Sequence, residues 1–176
     1  MKKFSRLYAY VFTVLCSCLN CAFALDFNDP SMGNASLVTE TTKSCKLSDG
    51  LEKKEMVYTI SYGYPEGLKD SSYKYVTVRM NFTYFSNVIN KVLAVASLES
   101  NFRYNSVTKQ AECLSTSRGN VLNDKDCVLS IFARRANHNT EVGGSVAEVK
   151  FTNKGKPYEK NVYRVSCDYM GNITYT

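Results

Sequence analysis

The sequence contains no tryptophan and a single histidine, His138. One histidine leaves a Ser/His/Asp hydrolase a single base to build on. His138 stands in the polar run Asn137-His138-Asn139-Thr140, with no Gly-x-Ser-x-Gly element elsewhere to pair with it. Gly-rich phosphate loops and internal repeats are absent, no C-x-x-C pair lies beyond residue 24, and Glu99 has no acidic residue three or four positions away. Beyond the first 24 residues no apolar run is long enough to cross a bilayer, since residues 88–98 are interrupted by Asn90 and Lys91. These absences argue against a nucleotide-dependent enzyme, a metal centre, a cofactor and a membrane-spanning body.

The N-terminus has a different composition. Met1, Lys2, Lys3 and Arg6 precede an apolar run from Leu7 to Leu19 and the triplet Ala22-Phe23-Ala24. A basic start, a short apolar stretch and an A-x-A site read as a signal peptide of residues 1–24, cut after Ala24. Cleavage removes Lys2, Lys3 and Arg6 and leaves 19 basic against 16 acidic residues, a net charge of +3. That balance is too mild to argue for a nucleic-acid partner. Residues 25–176 suit one domain, secreted or periplasmic, with an irregular lead-in over 25–41.

Cys45, Cys113, Cys127 and Cys167 remain after cleavage. An even number in an exported chain predicts two disulfides, and three pairings are open. Cys113 with Cys127 across a local loop and Cys45 with Cys167 across the body are the favoured set.

Residues 85–102, FSNVINKVLAVASLESNF, carry apolar side chains at three- and four-residue steps behind Ser86, a plausible N-cap, and predict a helix over about 86–100. Most other segments alternate with period two. Residues 73–84 put Val76, Val78, Met80, Phe82 and Tyr84 on one face; 56–64, 101–114, 127–134, 145–151, 158–169 and 173–176 also read as strands, and 42–47 as a short one carrying Cys45. Ser48-Asp49-Gly50 and the run 153–157 read as turns, and 115–126 and 135–144 as polar loops. The expected fold is α+β: about seven strands in a predominantly antiparallel sheet, one helix packed on it, and two disulfides.

The string Ala94-Val95-Ala96-Ser97-Leu98-Glu99-Ser100-Asn101-Phe102 resembles the first motif of lytic transglycosylases, a Glu-Ser-x-Phe at a helix end. By that resemblance Glu99 is the general acid of a peptidoglycan-cleaving enzyme, its carboxyl held dry beside Leu98 and Phe102. The resemblance covers about nine residues and no Gly-Leu-Met-Gln-like segment follows it. The bland alternative is a surface glutamate.

Thirteen tyrosines suggest a tyrosine-lined sheet face carrying Tyr58, Tyr62, Tyr64, Tyr73 and Tyr75, suited to a protein or glycan. Lys150, Lys154, Lys156 and Lys160 surround one hairpin as a candidate polyanion finger, although hairpin lysines also serve solubility and edge protection. Asn34, Asn81 and Asn172 begin glycosylation sequons. The function expected is that of an exported, non-catalytic binding protein that recognises a protein or glycan through Tyr58, Tyr62, Tyr75, Lys154, Lys156 and the polar loops.

Overall fold

A computed structural model of the chain describes residues 36–62 and 72–176. The expected signal peptide, most of the lead-in and the sequon at Asn34 lie outside these residues. Among the described residues there are nine strands and no helix, in two antiparallel sheets. Sheet A is the meander β1 (Ser36–Lys46), β2 (Leu51–Tyr62), β3 (Lys74–Ser86), β4 (Lys91–Asn105) and β5 (Gln110–Leu122). Sheet B follows as β6 (Cys127–Arg135), β7 (Val142–Asn153), β8 (Lys156–Asp168) and β9 (Ile173–Tyr175).

Alternation builds the layer between the sheets. Val76, Val78, Met80, Phe82 and Tyr84 of β3 are buried, as expected for that face. Across the strand pair they meet Ala94, Ala96, Leu98, Ser100 and Phe102 of β4. Sheet B contributes Cys127, Leu129 and Ile131 from β6, Val149 and Phe151 from β7, and Tyr163, Val165 and Cys167 from β8. Rings couple the layers: Tyr84 stacks on Phe151 at 4.0 Å between centroids, and Phe82 meets Tyr163 at 4.4 Å.

The expected helix is not formed, and the fold is all-β rather than α+β. Ser86 ends β3, residues 87–90 turn, and β4 begins at Lys91. Asn90 supplies the left-handed residue of that turn, with φ 50°. The apolar residues matched helical steps because the first part of β4, Leu93 to Ala96, is buried on both faces. Val95 is buried opposite the face of Ala94 and Ala96, so residues 92–96 read as a continuous apolar run, and alternation begins only after Ala96. Val92 and Val95 are β-branched, which favours the extended form.

Two further expectations fail. Residues 36–41 of the lead-in lie within β1, and 115–122 of the presumed loop continue β5. The polar side chains of β5 have a structural use: Arg118 donates to the Ile131 carbonyl at 2.5 Å and Asn120 to the Leu129 carbonyl at 2.9 Å. They occupy acceptors on the edge strand β6, which presents them unpaired on that side.

The disulfides are also corrected: all four cysteines are free thiols, Cys45 exposed and the other three buried. Asn120 of β5 lies beside Leu129 of β6, so Cys127 sits near the end of β5, while Cys113 reaches Asn137 at its start. The nine residues from Leu122 back to Cys113 separate those thiols by ~30 Å of strand. Cys45 is on the outermost strand of sheet A and Cys167 is in the interior of sheet B's packing face.

Two hairpins form as the sequence suggests. Asp49 and Gly50 both have positive φ, 59° and 72°, the pattern of a two-residue turn whose twist suits its strands. Lys154-Gly155 joins β7 to β8. Gly143 is a different case. A Cβ there would lie 2.5 Å from the Cys113 nitrogen and 2.5 Å from the Glu112 carbonyl carbon, both main-chain atoms. Gly143→Ala should therefore force β5 and β7 apart and lower stability by about 1–3 kcal/mol in urea unfolding. A midpoint equal to that of the native chain would contradict the close approach.

Candidate functional site

Two groupings of polar side chains stand out. The first is closed. Lys53 of β2 and Glu159 of β8 are only 4% and 7% exposed. Lys53 Nζ donates to Glu159 Oε1 and to the Tyr163 hydroxyl at 2.7 Å each, and pairs with Glu55 at 2.7 Å. The Tyr84 hydroxyl donates to Glu159 Oε2 at 2.7 Å, and Asn161 Nδ2 to Glu159 Oε1 at 2.9 Å. Among the described residues no buried side-chain nitrogen or oxygen lacks a partner. A saturated cluster of this kind joins β2 and β3 to β8 and has no group left to offer a substrate.

Its protonation follows from its surroundings. Burial pulls the Lys53 ammonium down, but bonds to Glu159, Glu55 and Tyr163 outweigh that and raise it well above the ordinary lysine value. Burial, then Glu159, raises the Tyr84 and Tyr163 phenols. Burial also raises two thiols, Cys113 to about 11 and Cys167 to about 12. Each of these groups holds its proton more tightly folded than unfolded. The stability they contribute is complete below the unfolded values, about 8.5 for thiols and about 10 for Lys and Tyr, and is lost as pH rises through the folded values. The urea midpoint is expected to fall steeply between about pH 9 and pH 11. A midpoint that stays level over that interval would show that these groups are not buried together.

The second grouping is open. At the end of the body where β4 turns into β5, a groove of about 290 Å³ is lined by Tyr73, Arg103, Gln110, Glu112, Asn137 and Asn139. Arg103 of β4 is directly opposite Glu112 of β5, and its Nε and Nη2 donate to Glu112 Oε2 at 3.0 and 2.7 Å. Its guanidinium lies 4.8 Å from the centre of the Tyr73 ring, and the Tyr73 hydroxyl donates to Gln110 Oε1. The far wall is the loop 136–141. Asn137 Oδ1 accepts from the Cys113 and Gly144 amides at 2.9 and 3.2 Å, and Asn139 Oδ1 from those of Glu141 and Val142 at 2.8 and 2.9 Å. Main-chain bonds fix both carbonyls, and among the described residues both Nδ2 groups carry no bond.

Of the residues singled out by sequence, Tyr73 and the loop residues Asn137, Asn139 and Thr140 line this groove, while Tyr58, Tyr75, Lys154 and Lys156 do not. Tyr58 is buried, its hydroxyl 3.7 Å from Met56 Sδ, and Tyr75 is half-buried on β3 opposite Tyr62 and Arg103. The Tyr62 side chain lies outside the described residues. Lys154 sits in the β7–β8 turn, and Lys156 pairs with Asp49 at 2.5 Å, so the lysines and tyrosines are not brought together. Glu99 is in mid-strand on the outward face of β4 and accepts from Arg79 Nε at 3.1 Å. The helix end on which the transglycosylase resemblance depended is missing, and this carboxylate is held by a guanidinium instead. His138 lines a smaller cavity of about 210 Å³ with Arg164, Ser166 and Tyr175.

Among the described residues no three His, Cys, Asp or Glu side chains are grouped to hold a metal ion, and no helix is long and apolar enough to cross a membrane. Fold and groove together define an all-β body with a polar recess at one end. No protein-family model, curated protein or solved structure matches the chain.

Proposed function

We propose that this is an exported binding protein without catalysis, recognising a glycan or protein partner through the groove between the β4–β5 end and the loop 136–141. The observation that carries the reading is the pair of amide groups on Asn137 and Asn139, held in position by main-chain bonds and facing the ion pair of Arg103 and Glu112. Fixed donors beside a carboxylate and a half-exposed aromatic ring suit sugar hydroxyls, which need several directional bonds and an apolar face. Positioning by two hydrogen-bonded strands keeps such groups in place without a ligand.

Titration against a panel of defined oligosaccharides, comparing the native protein with Arg103→Ala, tests it. Losing the guanidinium frees Glu112 and Tyr73 together, so binding should weaken at least ~10-fold, on the scale of one charge-assisted hydrogen-bond pair. Equal affinity in both proteins, or no binding to any sugar, would overturn the glycan reading.

A further inference from the structure

The outward face of sheet B carries a charge pattern that the groove does not use. Register places Arg134, Val146 and Arg164 in one row across β6, β7 and β8, Phe132, Glu148 and Val162 in the next, and Ser130, Lys150 and Lys160 in the third. Phe132 and Val162 are 58% and 50% exposed, and Val128 extends the apolar series at 62%. Four cations thus share these rows with one carboxylate, Glu148, which pairs with Lys150 at 2.8 Å; Asp168, at the far end of β8 on the same face, is bonded to Asn172 and to the Met170 amide. Arg134, Lys160 and Arg164 make no ion pair among the described residues. Arg118 adds a further guanidinium 5.6 Å above the Phe132 ring.

We infer that this face docks peripherally on an anionic lipid surface, with Arg134, Lys160 and Arg164 toward the lipid phosphates and Phe132 and Val162 entering the headgroup layer. Charge complementarity selects an anionic partner. The apolar side chains select among anionic partners. A hydrated polysaccharide leaves Phe132 and Val162 in water, whereas the interface of a bilayer accepts apolar side chains and cations side by side. Neighbouring strands keep Arg134 and Arg164 about 10 Å apart on a broad sheet face, which meets a layer of many headgroups better than it encloses one. The inference is independent of the groove, which lies at the β4–β5 end and shares none of these residues.

Co-sedimentation of the full chain with vesicles of phosphatidylcholine alone, or with three parts in ten phosphatidylglycerol, tests it. The apolar run from Leu7 to Leu19 can hold the chain on either vesicle, so the readout is the ratio of anionic to neutral binding. The triple variant Arg134→Gln, Lys160→Gln, Arg164→Gln should lower that ratio about a hundredfold, at about fivefold for each charge near the surface. A control removing equal charge elsewhere, Lys43→Gln, Lys74→Gln, Lys109→Gln, should leave most of it. Phe132→Ala should weaken anionic vesicle binding several-fold while heparin retention holds. Equal losses in triple and control variants would overturn the inference, as would a native ratio near one. Heparin retention that depends on the three cations without vesicle binding would overturn it in favour of a polyanionic glycan.

Discussion

Lys53→Met is expected to lower the free energy of unfolding by about 3–5 kcal/mol, because it leaves Glu159 and Glu55 without their shared cation in the interior. Lys53 Nζ makes three short contacts, and removing it also deprives the Tyr163 hydroxyl of a donor. The penalty should come from the uncompensated carboxylates rather than from loss of the pair. The double variant Lys53→Met, Glu159→Leu should therefore recover much of the deficit, since an apolar pair of similar volume fills the space without a buried charge. Equilibrium urea unfolding of the three proteins measures this. A single variant within ~1 kcal/mol of the native chain would place Lys53 at the surface instead of between the sheets.

Phe151→Ala is expected to lower stability by about 3–5 kcal/mol, the range for emptying an aromatic site in a packed core. Phe151 is fully buried, stacks on Tyr84 at 4.0 Å and lies 6.3 Å from Tyr158. Sheet A cannot easily collapse into the space, because the Tyr84 hydroxyl is bonded to Glu159. Phe151→Leu, which keeps most of the volume, should be markedly milder. Equal losses for the two would mean that ring stacking rather than filled volume joins the sheets.

Legibility in the sequence depended on how many faces of a strand are buried. β3 and β6 alternate in polarity, even where Thr77 and Thr83 are buried on the other face of β3, and the inward residues of β3 and of β6 up to Ile131 are readable from parity alone. β4 is buried on both faces over Leu93–Ala96, and that apolar run, joined to Ile89 and Leu98, imitates the three- and four-residue steps of a helix although residues 96–102 alternate. β1 is legible only in its second half, from Thr42 on, because Val38 to Lys46 are all exposed and no buried face marks the strand. β5 looked like a loop because Arg118 and Asn120 bond main-chain carbonyls instead of filling the core. The buried cluster did leave a signal: Lys53 and Glu55 share the parity of Leu51 and Val57, so two charges point inward on a strand otherwise apolar there. The groove left a partial one, Tyr73 and the polar loop 135–144, but nothing that joined them to Arg103 and Glu112. Arg103 and Glu112 face each other across the β4–β5 hairpin, and Tyr73 and Asn139, some thirty residues to either side, reach them only through the β4–β5 register and the loop beside it.

Interproton contacts in the native protein test the two-sheet arrangement most directly, since the cluster, the groove and the lipid-facing surface all depend on it. Ring-to-ring NOEs between Tyr84 and Phe151 and between Phe82 and Tyr163, with cross-strand Hα contacts pairing β3 with β4, are the expected result. Sequential i to i+3 contacts running through residues 86–100, with no ring contact between the two halves of the chain, would contradict it.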